Sequence, residues 1–253
     1  MNDEKDPDLC IAENLCHVRS RIKAACERSG RNPEEVTLIA VSKTKPFSDI
    51  IAACMAGATD FGENYVQELM QKIEQNENLD EPKPIQWHMI GHLQKNKVKH
   101  LIGHTALIHS VDSVSLAEQI EKEAAKREKT VRILLEVNIA REESKWGFDP
   151  DEVLQAAEDI TAFSHVRVLG LMTSAPITDD PETNRGYFRD LNVLAKELAA
   201  KNLISITDPD FHCPVLSMGM TGDFEVAVEE GATMVRVGTA IFGKRDYKDG
   251  GRT

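Results

Sequence analysis

The chain has 253 residues, 41% hydrophobic and 28% charged, enough to bury a full core as one large α/β domain or two small ones. Thirty basic against forty-two acidic side chains give a formal net charge of −12, which opposes attraction to phosphate backbones and anionic lipid and argues against nucleic acid as a partner. No apolar run approaches the roughly 20 residues of a bilayer crossing, residues 1–6 lack signal-peptide character, and five cysteines without a Cys-x-x-Cys pair exclude a disulfide framework or zinc ribbon, so a cytoplasmic protein off the membrane is expected.

In chain order, a first helix is expected over 9–29, ending at Gly30. Strands are expected at 36–41, 59–61, 86–90, 106–110, 131–137, 166–171, 214–217 and 233–237, with helical segments between them. The stripes Val66, Leu69, Met70, Ile73 and Tyr187, Phe188, Leu191, Leu194, Leu198 have helical spacing and face a core. Ser115 with Glu118 reads as a capping box, and Asp149-Pro150 and Asp180-Pro181 as helix starts. Residues 94–102 read as a helix bearing Lys95, Lys97, Lys99 and His100, a solvated face or a docking surface for an acidic partner. Alternation of eight strands with helices predicts a single α/β domain, a (β/α)8 TIM barrel over 1–253, with flexible tails at 1–8 and 248–253 and loops at 76–84 and 204–212.

His88 and His92 are four residues apart, as are His100 and His104. His88 falls in an expected strand, where that offset separates side chains too far for one ion, and no acidic third ligand stands nearby; no metal site is expected. Lys43, at the carboxyl end of the apolar first strand, is the more telling residue. A lysine there either reaches for water or, half-buried, loses its proton near neutral pH and becomes a Schiff-base nucleophile. Lys45 and Lys244 are its rivals.

The last two strands end in Leu216-Ser217-Met218-Gly219-Met220 and Arg236-Val237-Gly238-Thr239-Ala240. In a barrel these loops commonly bind phosphate, glycine permitting close backbone approach and the Ser217 and Thr239 hydroxyls donating to an anion. The glycines also serve simply to turn the chain. Arg236 sits within apolar sequence and needs a specific acceptor. An imine-forming lysine, a phosphate cradle and an arginine between them fit pyridoxal 5′-phosphate.

Several blocks now carry a resemblance. Ala40-Val41-Ser42-Lys43-Thr44-Lys45-Pro46, Phe61-Gly62-Glu63-Asn64-Tyr65, Trp87-His88-Met89-Ile90-Gly91-His92-Leu93-Gln94-Lys95-Asn96-Lys97, Val137-Asn138, Gly170-Leu171-Met172, Ser217-Met218-Gly219-Met220 and the run from Met234 to Gly243 stand in one order. The chain resembles the YggS/PROSC family of pyridoxal-phosphate homeostasis proteins from about residue 9 to Tyr247. The resemblance implies a fold-type III barrel similar to the N-terminal half of alanine racemase, without its C-terminal β domain. It implies pyridoxal phosphate held as a Schiff base on Lys43, Arg236 at the pyridine nitrogen, Ser217, Gly219, Gly238 and Thr239 around the phosphate, and Asn64 and Met172 lining the ring pocket. The connection 204–214 is longer and more polar than the family pattern, which bears on the phosphate loop.

An arginine at the ring nitrogen weakens the ring as an electron sink and argues against a decarboxylase. Racemases supply a second base from an added domain, and this sequence holds no residues for one beyond Tyr247. The expected function is a monomeric carrier in pyridoxal phosphate homeostasis, with no catalytic residues assigned and with pyridoxal-phosphate-dependent apo-enzymes as recipients. The alternatives are a weak racemase-like enzyme and a cofactor-free aldolase using Lys43.

Overall fold

The structure, a computed structural model, describes residues 7–212 and 214–243. Its elements in chain order are α1 (Pro7–Ser29), β1 (Thr37–Val41), α2 (Phe47–Met55), β2 (Asp60–Glu63), α3 (Val66–Glu77), β3 (Gln86–Met89), β4 (Leu107–Val111) and α4 (Val114–Ala125). There follow β5 (Val131–Glu136), α5 (Val153–Thr161), β6 (Val166–Met172), α6 (Arg185–Ala200), β7 (Val215–Ser217), α7 (Phe224–Glu229), β8 (Met234–Val237) and α8 (Thr239–Phe242). The eight strands form a closed barrel in sequence order. Parallel pairing of β1 with β8, from Thr37↔Met234 to Ala40↔Val237, closes it. All eight expected strands are present. The expected tail at 1–8 is partly helix, since α1 starts at Pro7; the rest of it, the tail at 248–253, Lys244 and Tyr247 lie outside the described residues.

Two apolar layers result. Between strands and helices lies the larger core, to which α3 contributes buried Val66, Leu69 and Ile73 and α6 contributes Phe188, Leu191 and Leu198. Inside the barrel a second cluster, Ile39, Leu107, Leu134, Leu169, Met172, Val215 and Met234, fills the lower interior. Phe211 packs against it. The loop carrying Phe211 joins α6 to the start of β7, so it crosses the barrel floor, where Arg132 pairs with Asp208 at 2.9 Å and with Asp210. The long polar connection therefore bears on the floor and not on the phosphate loop at the opposite end.

Local starts differ from expectation in two places. Ser113, not Ser115, caps α4, its Oγ accepting the Leu116 N–H at 3.3 Å. Asp149 accepts the Asp151 N–H at 3.0 Å, but that turn does not propagate, and α5 begins only at Val153. Asp180 does cap, accepting from Glu182 N–H at 3.0 Å at the start of a short 3₁₀ turn, Pro181–Asn184. The basic segment is likewise a 3₁₀ turn, Lys95–His100, with Val98 buried and Lys95, Lys99 and His100 exposed. No described helix is long and apolar enough to cross a membrane.

Candidate functional site

Lys43 follows β1 at the carboxyl-terminal mouth of the barrel, and both its neighbours are pinned. Ser42 is fully buried; its hydroxyl donates to Glu63 Oε1 at 2.6 Å and its carbonyl accepts from Lys72 Nζ at 2.8 Å. Thr44 adopts a left-handed φ of 64°, unusual for a β-branched residue, and its N–H donates to Glu68 Oε1 at 2.6 Å. Lys72 completes the brace with contacts of 2.7 Å to both Glu63 and Glu68. Burial pushes the Glu63 carboxyl up, and the adjoining Lys72 opposes that. The brace holds the backbone on either side of Lys43 and leaves its half-buried side chain on a cavity wall. Lys45 leads elsewhere: its ammonium donates to the Phe242 carbonyl at 2.7 Å, and it borders a separate surface depression.

The cavity holds about 520 Å³, within the usual range for small-ligand sites. Val41, Lys43, Asn64 and Ile90 form one wall. The β6–β8 loops form the other, with Ser174, Ile177, Thr221, Gly222, Gly238 and Thr239 above Arg236. Asn64 is set by close packing, for a Cβ on Gly91 would lie 2.4 Å from the Asn64 carbonyl oxygen. Five of the expected residues, Lys43, Asn64, Arg236, Gly238 and Thr239, thus share one cavity.

Met172, Ser217 and Gly219 do not line it. Met172 belongs to the inner apolar cluster, one layer deeper. Ser217 pairs in register with Met172 and turns its hydroxyl inward, 2.8 Å from both Arg236 and His109. Gly219, at φ 88°, packs onto α7, where a Cβ would lie 2.6 Å from the Ala227 Cβ. The residues that do face the cavity from this loop are Met220, Thr221 and Gly222. Asp223 holds them by accepting the Met220 N–H at 2.7 Å and an Asn184 amide hydrogen at 2.8 Å. Thr221 and Gly222 were not among the expected residues, although a hydroxyl residue near glycine is the same signal that singled out Ser217 and Gly219.

Arg236 is buried, 5% exposed. It donates to Ser217 Oγ at 2.8 Å and to the Thr173 carbonyl at 2.9 Å, and among the described residues no carboxylate pairs with it. Burial lowers its pKa to about 10, with Glu136 and Asp223 pulling the other way. Glu136, ending β5, is pushed up to about 7 by burial and by Asp112, while Arg236 and Lys145 oppose. Chemically, the site sets an amine on a rigid loop across from a buried cation that makes no ion pair among the described residues, with small residues on two loops between. A carbonyl compound whose ring carries a hydrogen-bond-accepting atom and which bears an anionic tail fits that donor set.

A profile of the family "Alanine racemase, N-terminal domain" matches residues 14–246. The pyridoxal phosphate homeostasis protein of Aquifex aeolicus is 44% identical over 93% of this chain and 98% of its own. The chain belongs to the pyridoxal phosphate homeostasis protein family. Among solved structures, PipY of Synechococcus elongatus with pyridoxal phosphate bound is similar at a TM-score of 0.76 and 34% identity, over 92% of this chain and all of that one. A Clostridium difficile alanine racemase is similar in fold alone, with a TM-score of 0.70 at 14% identity, and the chain spans 58% of its length.

Proposed function

We propose that this protein holds pyridoxal 5′-phosphate reversibly on Lys43 and serves as a carrier and reservoir in its homeostasis. One observation carries the reading: Lys43 and the counter-ion-poor Arg236 face a single cavity of about 520 Å³. When bound, pyridoxal phosphate supplies an aldehyde that condenses reversibly with an amine. Lys43 supplies that amine on a backbone held by Ser42 and Thr44. Arg236 would present donors to the ring nitrogen, Asn64 and Ile90 would border the ring, and Thr221, Gly222, Gly238 and Thr239 would hold the phosphate. An arginine in that position, rather than a carboxylic acid, suits retention better than carbanion chemistry.

The reading extends to a monomer in the cytoplasm that delivers to pyridoxal-phosphate-dependent apo-enzymes. A barrel closed within one chain supports the first part, since no strand edge remains to be paired. The composition supports the second. The test is reduction of the loaded protein with borohydride followed by peptide mapping. The adduct is expected on Lys43 and absent from Lys43→Ala; a label on Lys45 or Lys244, or no absorbance band after adding pyridoxal phosphate, overturns the reading. Steady turnover of single-enantiomer amino acids would favour the racemase alternative.

A further inference from the structure

Behind Arg236 runs a chain of buried polar side chains that the binding of a ligand by Lys43 does not require. It starts at Asp60, the first residue of β2, on the amino-terminal rim of the barrel, with 18% of its side chain exposed. Asp60 Oδ1 lies 3.0 Å from His88 Nε2, and His88 Nδ1 lies 2.9 Å from His109 Nε2. His109 Nδ1 lies 2.8 Å from Ser217 Oγ, which lies 2.8 Å from an Arg236 terminal nitrogen. His88, His109 and Ser217 are completely buried. The links come from β2, β3, β4, β7 and β8, so the chain crosses the barrel interior from its floor to the cavity.

Donor and acceptor capacity orders its protons. A guanidinium only donates, so Ser217 Oγ accepts from Arg236; a carboxylate only accepts, so His88 carries a hydrogen on Nε2. With neutral rings, His88 Nδ1 is then bare and must accept from His109 Nε2–H. That leaves His109 Nδ1 bare to accept the Ser217 hydroxyl hydrogen. Each contact has one hydrogen and one lone pair, and all four donate toward Asp60. The opposite order would set a bare His88 Nε2 against the carboxylate. Burial, together with neighbouring His88 and Arg236, holds the His109 pKa well below its usual value, in keeping with a neutral ring.

We propose that this chain is a proton-ordered brace in which the Asp60 carboxylate fixes both histidine tautomers, commits the Ser217 oxygen to Arg236, and so orients the guanidinium in the ligand cavity. Asp60, His88, His109 and Ser217 are positioning residues acting through Arg236. Aligned hydrogen bonds polarise one another, so the carboxylate strengthens the Ser217 oxygen as an acceptor across the barrel. The effect on ligand rests on the pyridoxal phosphate reading; the proton order stands without it.

The first test uses the full chain without ligand at neutral pH. Long-range ¹H–¹⁵N correlation of the ring nitrogens is expected to show His88 and His109 both as the Nε2–H tautomer. A hydrogen on Nδ1 of either ring, including a doubly protonated His88, overturns the proposal. In Asp60→Asn the ring signals of His109, which Asp60 does not touch, are expected to move; unmoved signals count against the brace. The second test is a cycle of Asp60→Asn, Ser217→Ala and the double variant, reading pyridoxal phosphate retention and its absorption maximum alongside thermal midpoints. Each single variant is expected to weaken retention roughly tenfold, and the double variant no further. Multiplying losses would overturn the coupling. Should the unaltered protein fail to retain pyridoxal phosphate, the functional reading falls while the tautomer measurement still decides the brace.

Discussion

Lys72 and Arg236 are both buried cations at the mouth of one barrel, and they are accommodated in opposite ways. Lys72 places its ammonium against Glu63, Glu68 and the Ser42 carbonyl, all within 2.8 Å, so its three hydrogens are matched. Arg236 has five hydrogens to place, and among the described residues it meets the Ser217 and Ser174 hydroxyls and one carbonyl oxygen, that of Thr173, but no paired carboxylate. A cation whose charge is balanced within the fold is structural. A cation that makes no ion pair among the described residues and borders a cavity is suited to binding, because an anionic or electron-pair-bearing ligand can complete its surroundings.

The largest effect should come from removing each cation in turn. Lys72→Met leaves Glu63 and Glu68 without their shared cation and is expected to cost about 3–5 kcal/mol, a fall in thermal midpoint of roughly 10 °C. Arg236→Met removes a desolvated charge whose hydrogen-bond partners are neutral, so stability should fall by less than it does in Lys72→Met while pyridoxal phosphate retention collapses. Thermal melts with and without ligand check both, and equal destabilisation by the two variants would break the distinction.

A smaller effect sharpens the Arg236 side. The Glu136 carboxyl is raised from its usual value to about 7, so the stability tied to its protonated form is complete below pH 4.5 and is lost as pH rises through 7. Glu136→Gln is therefore expected to match the parent protein near about pH 4 and to exceed it by up to about 3 kcal/mol near about pH 8. Melts at the two pH values that differ equally from the parent would rule this out. The smallest effect sharpens the Lys72 side. Thr44→Asn places a residue tolerant of left-handed backbone at φ 64° and should add about 0.5–1 kcal/mol without moving the adduct from Lys43. Urea titration resolves a change of that size; a loss of stability would mean that Thr44 is held by more than its backbone.

The barrel was legible in the sequence because each strand is a short apolar run bounded by turn residues, and such runs leave little choice of partner once all are parallel. Helix starts were less so, since Ser113 and Ser115 are equivalent as local capping residues and packing of α4 chooses between them. Lys43 could be singled out by its place after an apolar strand. Lys43 was preferred to Lys45 on the resemblance and not on periodicity, because two residues along a turn lose the alternation that holds within a strand. Depth within the barrel was also hidden. Ser217 and Met172 end their strands as Arg236 nears the end of its own, yet register shifts between β5 and β6 and the stagger around the ring set them below the cavity.

By itself, then, the order of residues determined the eight-strand architecture, the amine-bearing loop and the need for something to answer Arg236, because apolar periodicity and the cost of a buried charge are local properties. Only the folded barrel decided that Lys43 and not Lys45 borders the cavity, which loop residues line it, and that Asp60, His88, His109 and Ser217 join into one chain. Those contacts link residues up to 108 positions apart and depend on strand stagger, which no local pattern encodes.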